Sequence, residues 1–201
     1  MPLLAYGRRL LLAVALAAGA SGCAAAYRTD MLRKDVRTDA QNAIADAKLD
    51  HGDMTIMGSV DHPDTTYDPG QPIMLSVETS KDAYVAILRV LENGDTTIVF
   101  PNRAQRDAAI HANTVLTIPA PRDPIKITAD KPGVVLFEFI ASTNGNSWLF
   151  KRAPDNGSDF ADLGVTTRNI VSDLRSSLKV GSGPDIATAH QTVRIAGRSM
   201  F

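Results

Sequence analysis

Cysteine, aromatic residues and excess charge of either sign are all scarce in this sequence. Its 201 residues include one cysteine and 5% aromatics, and 21 basic residues face 22 acidic ones. One cysteine excludes an intramolecular disulfide and any two-cysteine zinc or redox motif. The net charge of −1 gives no general case for nucleic-acid binding, which usually shows a large basic excess. The 44% hydrophobic content is that of an ordinary globular protein.

The first 22 residues have the three parts of a secretory signal peptide. Arg8 and Arg9 precede an apolar run over residues 10–18, and small residues fill positions 19–22. The run is shorter than the roughly 20 apolar residues that span a bilayer. The two arginines also fit a twin-arginine export signal, but any signal peptide has basic residues before its apolar run, which favours general secretion.

The only cysteine follows these small residues directly. Ala20-Ser21-Gly22-Cys23 resembles a bacterial lipobox, although leucine is commoner at its first position. The resemblance implies that Cys23 carries lipid, such as palmitate, and begins the mature protein. The alternative is a plain signal peptide with an incidental Cys23. Because several acyl chains hold a protein stably at a bilayer, we expect membrane attachment through lipid, with no other cofactor.

Residues 24–26 are alanines, with no aspartate after the cysteine. This absence resembles lipoproteins that are released to the outer membrane. Loss of Arg8 and Arg9 leaves 19 basic and 22 acidic residues, a charge of −3, so no second, polybasic attachment is indicated. We expect an outer-membrane lipoprotein whose domain faces the periplasm, with cell-surface exposure as the alternative.

Residues 23–52 are interpreted as the lipidated N-terminus and a tether, which is helical or flexible. Between Tyr27 and Asp50 the chain has neither proline nor glycine, and its apolar residues, mostly alanines, recur at helical spacing. The weak stripe favours a solvated or loosely docked helix over one lying in the membrane interface.

Residues 53–201 predict a single domain rich in β-strands. Ile73, Leu75 and Val77 alternate with more polar residues, and residues 84–91 are almost continuously apolar, as in a central strand. Further strands are predicted at 96–100, 115–118, 125–129, 134–142, 147–151 and 191–196. Asn93-Gly94 and Asn144-Gly145 are predicted to be hairpin turns.

One helix is predicted near the C-terminus. Thr166 or Thr167 caps it, and Ile170, Val171, Leu174 and Leu178 lie on one face. Together these elements predict a mainly β fold, a single antiparallel β-sandwich with one C-terminal helix.

Several short motifs occur together in this domain. They are Tyr67-x-x-Gly70-x-x-Ile73, Asp82-Ala83-Tyr84-Val85, Asn93-Gly94, Phe100-Pro101-Asn102, Ile118-Pro119 and Pro132-Gly133. As a set they resemble a bacterial family catalogued as domain of unknown function number 4384, over about residues 55–150. The resemblance implies an Ig-like or related sandwich, export or lipidation, and no established activity. Residues 160–201 lie outside the best match.

The signature residues are interpreted as structural. They are Tyr67, Gly70, Tyr84, Gly94, Phe100, Pro101 and Asn102. Gly70 suits a turn, Tyr84 anchors a strand and Pro101 ends one. Trp148 is expected to pack rather than to bind a ligand.

No catalytic or metal-binding pattern stands out. Four histidines, His51, His62, His111 and His190, lie in four separate segments without metal-ligand spacing. Asp61-His62-Pro63-Asp64 is interpreted as a solvated loop. No GxSxG elbow or phosphate loop is present, and the acids Asp159 and Asp162 resemble a glycosidase pair only in residue type.

These observations favour a non-catalytic binding or scaffold module. We expect it to contact an envelope protein in an assembly such as a secretion or surface-structure apparatus. A surface-exposed ligand-binding lipoprotein is the first alternative. A hydrolase of cell-wall polymers is the second, and it requires a deep cleft that joins acids or a histidine from separate loops.

Overall fold

A computed structural model of the chain describes residues 37–152, 154, 157–164, 167–181 and 183–197. The strands among them are β1 (Ile56–Val60), β2 (Thr66–Tyr67), β3 (Leu75–Thr79), β4 (Ala83–Val90), β5 (Thr96–Phe100), β6 (Ala109–Ile110), β7 (Leu116–Ile118), β8 (Gly133–Ser142), β9 (Ala161–Asp162) and β10 (Ile186–Ile195). The helices are α1 (Asp39–Ala45), α2 (Thr167–Leu178) and a 3-10 helix at Trp148–Phe150. None of the described helices has the length and apolarity to cross a membrane.

The strands form two sheets. The large sheet has the order β2-β10-β8-β4-β5-β9, with β6 also paired to β4, and the small sheet has the order β1-β3-β7. Neighbours are antiparallel except β2 and β10, whose two-residue pairing is parallel. The predicted mainly β sandwich is confirmed.

A hydrophobic core lies between the two sheets. Because successive side chains on a strand point to opposite faces, Val135, Phe137 and Phe139 of β8 all face the small sheet. They pack there against Leu75 and Val77 of β3. The strands β3, β4 and β8 supply nine of the 21 buried residues of this core, and they are the segments whose apolar pattern was clearest.

A layer of helices covers the opposite face of the large sheet. The buried residues of α2 are Thr167, Ile170, Leu174 and Leu178. They join Leu88 of β4 and Leu136 of β8 in a second apolar cluster. The predicted amphipathic helix is present, and its predicted cap Thr166 lies outside the described residues. The sandwich therefore has three layers: the small sheet, the large sheet and the helices.

The N-terminal segment from residue 37 belongs to the folded domain. Thr38 and Gln41 form a capping box that starts α1. The Gln41 amide is completely buried, and its Nε2 donates to the carbonyls of Val90 and Val134 at 3.0 Å each. Ile44 is also buried, at 1% exposure. The tether assigned to residues 23–52 is therefore wrong for residues 37–52. A weak apolar stripe is enough to dock α1 on the sheet because the buried Gln41 amide adds hydrogen bonds to the strands.

The C-terminal strand is part of the same core. β10 pairs with β8 along ten residues, from Ile186 opposite Ser142 to Ile195 opposite Gly133. The strand predicted at 191–196 is thus longer than expected, and it lies between β2 and β8 instead of closing an edge. The family-like core of residues 55–150 accordingly depends on a strand outside it.

The Asn93-Gly94 hairpin is confirmed. It joins the antiparallel strands β4 and β5, and Gly94 has a positive φ of 89°, which glycine adopts without strain. Pro101 follows the last residue of β5, as its missing N–H predicts.

Two predicted strands are absent from the described structure. Residues 125–129 make only an isolated bridge between Ile127 and Ile73. Residues 147–151 contain the 3-10 helix, which begins where Ser147 Oγ accepts from the Leu149 amide. Asn144-Gly145 therefore starts no hairpin. The physical reason is that β8 already has β10 on one side and β4 on the other, so no edge is left for a returning strand.

Side chains close both edges of the small sheet. Gln191 Nε2 donates to the carbonyl of Gly58 in the edge strand β1, at 3.0 Å. At the other edge, Gln105 Nε2 donates to the carbonyl of Thr117 in β7, at 3.1 Å. The outermost strands of the large sheet, β2 and β9, have only two residues each.

Candidate functional site

A cleft of about 400 Å³ lies between the β4–β5 turn and the segment that leads into β8. We call it the Arg89 cleft. Its lining residues are Arg89, Leu91, Glu92, Asn93, Asp95 and residues 128–135. The volume is within the range of small-molecule sites. Two stretches far apart in sequence build it, which makes it the best-defined candidate binding site among the described residues.

Arg89 is the half-buried cation of this cleft. It is paired in register with Phe137 of β8, so its side chain leaves the large sheet on the side of the small sheet. Nη1 donates to the Thr128 carbonyl at 3.0 Å, whereas the buried Nε has no partner. Burial lowers the pKa of Arg89, and the charges of Asp130 and Asp162 partly oppose that shift. The guanidinium remains charged at any physiological pH.

Two carboxylates of the cleft accept hydrogen bonds from the protein, one across the cleft and one within the β4–β5 turn. Glu92 Oε1 accepts from the Val134 amide at 2.7 Å, and Asp95 Oδ2 accepts from Asn93 Nδ2 at 2.7 Å. Gly133 has a φ of 145°, and a Cβ there would lie 2.9 Å from the Glu92 carboxylate. Glycine is therefore required for this wall to approach so closely. Neither carboxylate is paired with Arg89.

Glu138 is a second buried ionisable residue, on the helix-covered face of the large sheet. It is only 1% exposed, and its Oε2 has no hydrogen-bond partner. Burial raises the pKa of Glu138 to about 9, the charges of Asp50 and Asp46 raise it further, and Arg37 opposes them. The carboxyl group is therefore protonated at neutral pH.

Sequence analysis missed both Arg89 and Glu138. Each interrupts an apolar run of a central strand, Ile87-Leu88-Arg89-Val90 and Phe137-Glu138-Phe139, and that interruption was the available signal. The strands are adjacent, which suggests an ion pair. The register excludes an ion pair between them. Glu138 is paired with Leu88 and Arg89 is paired with Phe137, and because successive side chains alternate, these two pairs project from opposite faces of the sheet.

Tyr67, a signature residue, organises the loop before β2. Its hydroxyl donates to Asp61 Oδ1 at 2.7 Å and accepts from the His62 amide at 3.2 Å. Its ring stacks on His62 with centroids 4.4 Å apart. Burial, followed by the bond to Asp61, raises the pKa of Tyr67. Asp61, Pro63 and Asp64 are exposed, as the solvated loop predicted, and contacts with Tyr67 hold Asp61 and His62 in place.

The other signature residues lie in separate parts of the domain. Gly70 has a φ of 79° and donates its amide to the Ala129 carbonyl at 3.0 Å. Tyr84 is 38% exposed, and the centroid of its ring lies 6.2 Å from that of Phe150.

Asn102 is fully buried. Its Nδ2 donates to the Val99 carbonyl, and its Oδ1 accepts from the Ala104 and Gln105 amides. Gly94, Phe100 and Pro101 form the turn and the end of β5 described above. Their contacts are those of turn, strand-end and core residues.

The histidines and acids considered in sequence analysis do not converge. His111 Nδ1 lies 3.7 Å from an Asp82 carboxylate oxygen, and His190 lies in β10 opposite Glu138. Asp159 is paired with Arg103 at 2.7 Å, and Asp162 accepts from the Gly164 amide. Within the described part of the chain, no group of three His, Cys, Asp or Glu side chains is placed to hold a metal ion.

A second, larger hollow of about 870 Å³ lies on the other side of the β4–β5 turn. The first turn of α1 and the start of α2 line it, with Asp39, Asp95, Asp162 and Arg168 among its charged residues. Three of its four charged lining residues are acids, and none of the described residues that line it has a buried, unpartnered polar atom. Trp148 is elsewhere and packs partly buried against the helix-side cluster. The predicted lipidation site Cys23 and the signal peptide 1–22 lie outside the described residues.

Part of the domain is similar to a known protein family. Residues 66–145 match the family described as Domain of unknown function (DUF4384). The predicted resemblance is confirmed, over a shorter range than 55–150. No curated protein and no solved structure gives a significant match. Every residue that lines the Arg89 cleft lies inside the DUF4384 segment, whereas Gln41, α2 and β10 lie outside it.

Proposed function

We propose that the protein is an outer-membrane lipoprotein whose β-sandwich acts as a non-catalytic binding module of the bacterial cell envelope. The Arg89 cleft carries this proposal. It is a cleft of about 400 Å³ with a half-buried cation, built by the DUF4384 segment. Its acids Glu92 and Asp95 already accept hydrogen bonds from the protein, which supports recognition of a ligand over catalysis.

The lipobox-like Cys23 supports membrane attachment. The folded domain begins by Arg37, 14 residues further along the chain. That length of chain spans at most about 50 Å. The proposed anchor therefore confines the binding domain to a layer next to the membrane, where an envelope partner in a secretion or surface-structure apparatus would meet it.

Attachment is tested by fractionating cells that produce the wild-type chain or Cys23→Ser. We expect the wild type in the membrane fraction and Cys23→Ser in the soluble fraction with an unchanged circular-dichroism spectrum. A second control, Cys23→Ser with Ser59→Cys, restores a thiol at an exposed strand position and should also be soluble. Membrane-bound Cys23→Ser would contradict the proposed anchor.

Binding at the cleft is tested by site-specific photo-crosslinking in intact envelopes. A photoreactive residue replaces Lys131, which is exposed at the cleft, and the matched control replaces Glu78 on the small sheet. We expect a discrete adduct from position 131 and none from position 78. The same adducts from both positions, or no adduct from position 131, would count against the cleft as the binding site.

The direction in which the domain faces is a separate measurement. We propose the periplasmic side, and protease added to intact cells should then leave the protein undigested until the outer membrane is opened. Digestion in intact cells would favour the surface-exposed ligand-binding lipoprotein, which the same cleft serves equally well.

A further inference from the structure

We propose that the Arg89 cleft recognises a carboxylate group of its ligand, with the Arg89 guanidinium as the anion-binding element. This inference rests on the proposed binding function and specifies its chemistry.

The guanidinium is only partly satisfied by the protein. It has five N–H donors, of which Nη1 supplies one to the Thr128 carbonyl. The Nε donor is buried and unpartnered, and no ion pair joins Arg89 to a carboxylate among the described residues. Asp130 and Asp162 act on Arg89 only through their charge, so its half-buried guanidinium has no hydrogen-bonded counterion, which is costly. A carboxylate, which matches the planar fork of a guanidinium in a bidentate pair, removes that cost.

The rim decides between a carboxylate and a phosphate. Glu92, Asp95 and Asp130 line the cleft, against the two cations Arg89 and Lys131. A phosphate dianion would meet more repulsion from these acids than a singly charged carboxylate does. Because Glu92 and Asp95 accept hydrogen bonds from the walls, they stay at the rim and do not swing in to neutralise Arg89. With two cations against three acids the lining carries a net charge of −1, so the single guanidinium of Arg89 suits a monoanionic carboxylate better than a dianion.

The size of the cleft limits the ligand. A volume of about 400 Å³ lies near the lower end of the usual range for ligand pockets. It accommodates a small organic acid or the last few residues of a peptide, and both present the same carboxylate to Arg89.

The test compares probes that differ only in this group, on the full mature lipoprotein in detergent. The probes are acetyl-trialanine with a free C-terminal carboxylate, its C-terminal amide, the monocarboxylate butyrate and inorganic phosphate. Titrations are followed by NMR through the Arg89 Nε–H signal and the Gly133 amide. We expect the acid to bind at least about tenfold more tightly than the amide, the ratio that one charge-assisted hydrogen bond supplies.

Variants locate the effect. Arg89→Met should reduce the affinity for the acid to that for the amide, and Arg89→Lys should give an intermediate loss. The matched control is Arg106→Met, an exposed arginine of the same segment outside the cleft, which should bind like the wild type. If Arg89→Met does not fold, the comparison of acid and amide on the wild-type protein still decides.

Each remaining outcome is informative. Binding of butyrate as well as the peptide acid indicates a small organic acid as a sufficient ligand, and binding of the peptide acid alone indicates a peptide C-terminus. Equal affinities for acid and amide, tighter binding of phosphate, or undiminished binding by Arg89→Met would overturn the inference. A crosslink from position 131 together with equal acid and amide affinities would leave the binding module intact and remove only its carboxylate specificity.

Discussion

Replacement of Glu138 by glutamine should change how stability depends on pH. In the folded chain the pKa of Glu138 is about 9, against an ordinary value of 4.5. The folded state therefore holds a proton that the unfolded state releases. The contribution of Glu138 to stability is complete below pH 4.5 and is lost as the pH rises towards 9. The loss is about 1.4 kcal/mol per pH unit, which gives about 3 kcal/mol at pH 7.

Urea unfolding at several pH values, followed by circular dichroism, measures this effect. From pH 7.0 to 8.5 the unfolding free energy of the wild type should fall by about 2 kcal/mol relative to Glu138→Gln. The difference at one pH is not diagnostic, because the glutamine amide also needs partners in the same buried place. Glu78→Gln, on the small sheet away from this cluster, is the control and should leave the pH profile unchanged. Parallel profiles for the wild type and Glu138→Gln would refute the argument that Glu138 is protonated in the fold.

Two further substitutions test the packing. Gly58→Ala would place a Cβ 2.4 Å from the Phe139 ring, so we expect the unfolding free energy in urea to fall by about 1–3 kcal/mol. The control Ser59→Ala, at the exposed neighbouring position, should change it by less than about 0.5 kcal/mol. Equal effects of the two substitutions would show that β1 does not lie as close to β8 as described. Gln41→Ala removes a buried amide that donates to two strand carbonyls. We therefore expect faster hydrogen exchange of the α1 amides and an unfolding free energy lower by about 1–3 kcal/mol. Unchanged exchange would show that α1 is held by other contacts.

Much of the fold follows from local pattern. The alternation at 73–77, the apolar run at 84–91 and Asn93-Gly94 each predicted its element because the pattern and the turn chemistry agree. The failures occur where partners decide. Residues 125–129 have the alternation of a strand, but they face the turn at Gly70 and Ile73 and make single bonds there. Residues 147–151 lack a free edge beside β8.

The candidate site depends on distant partners even more strongly. Arg89 and Glu138 are recognisable in the sequence as charges inside apolar strands, but the face on which each lies is set by the register of β4 against β8. The cleft also requires Gly133 to approach Glu92, 41 positions away in the chain. Such placements come from sheet pairing, which composition and spacing do not specify.

The glutamine caps on β1 and β7 matter beyond the stability of one molecule. An open strand edge is a template for pairing with another chain, and that hazard grows with concentration. Here the Gly58 and Thr117 carbonyls are each occupied by a glutamine of their own chain, and the outer strands of the large sheet are too short to act as templates. Two copies that meet at these edges therefore find the carbonyls already occupied, which disfavours strand pairing between molecules and leaves their encounters to side chains and loops.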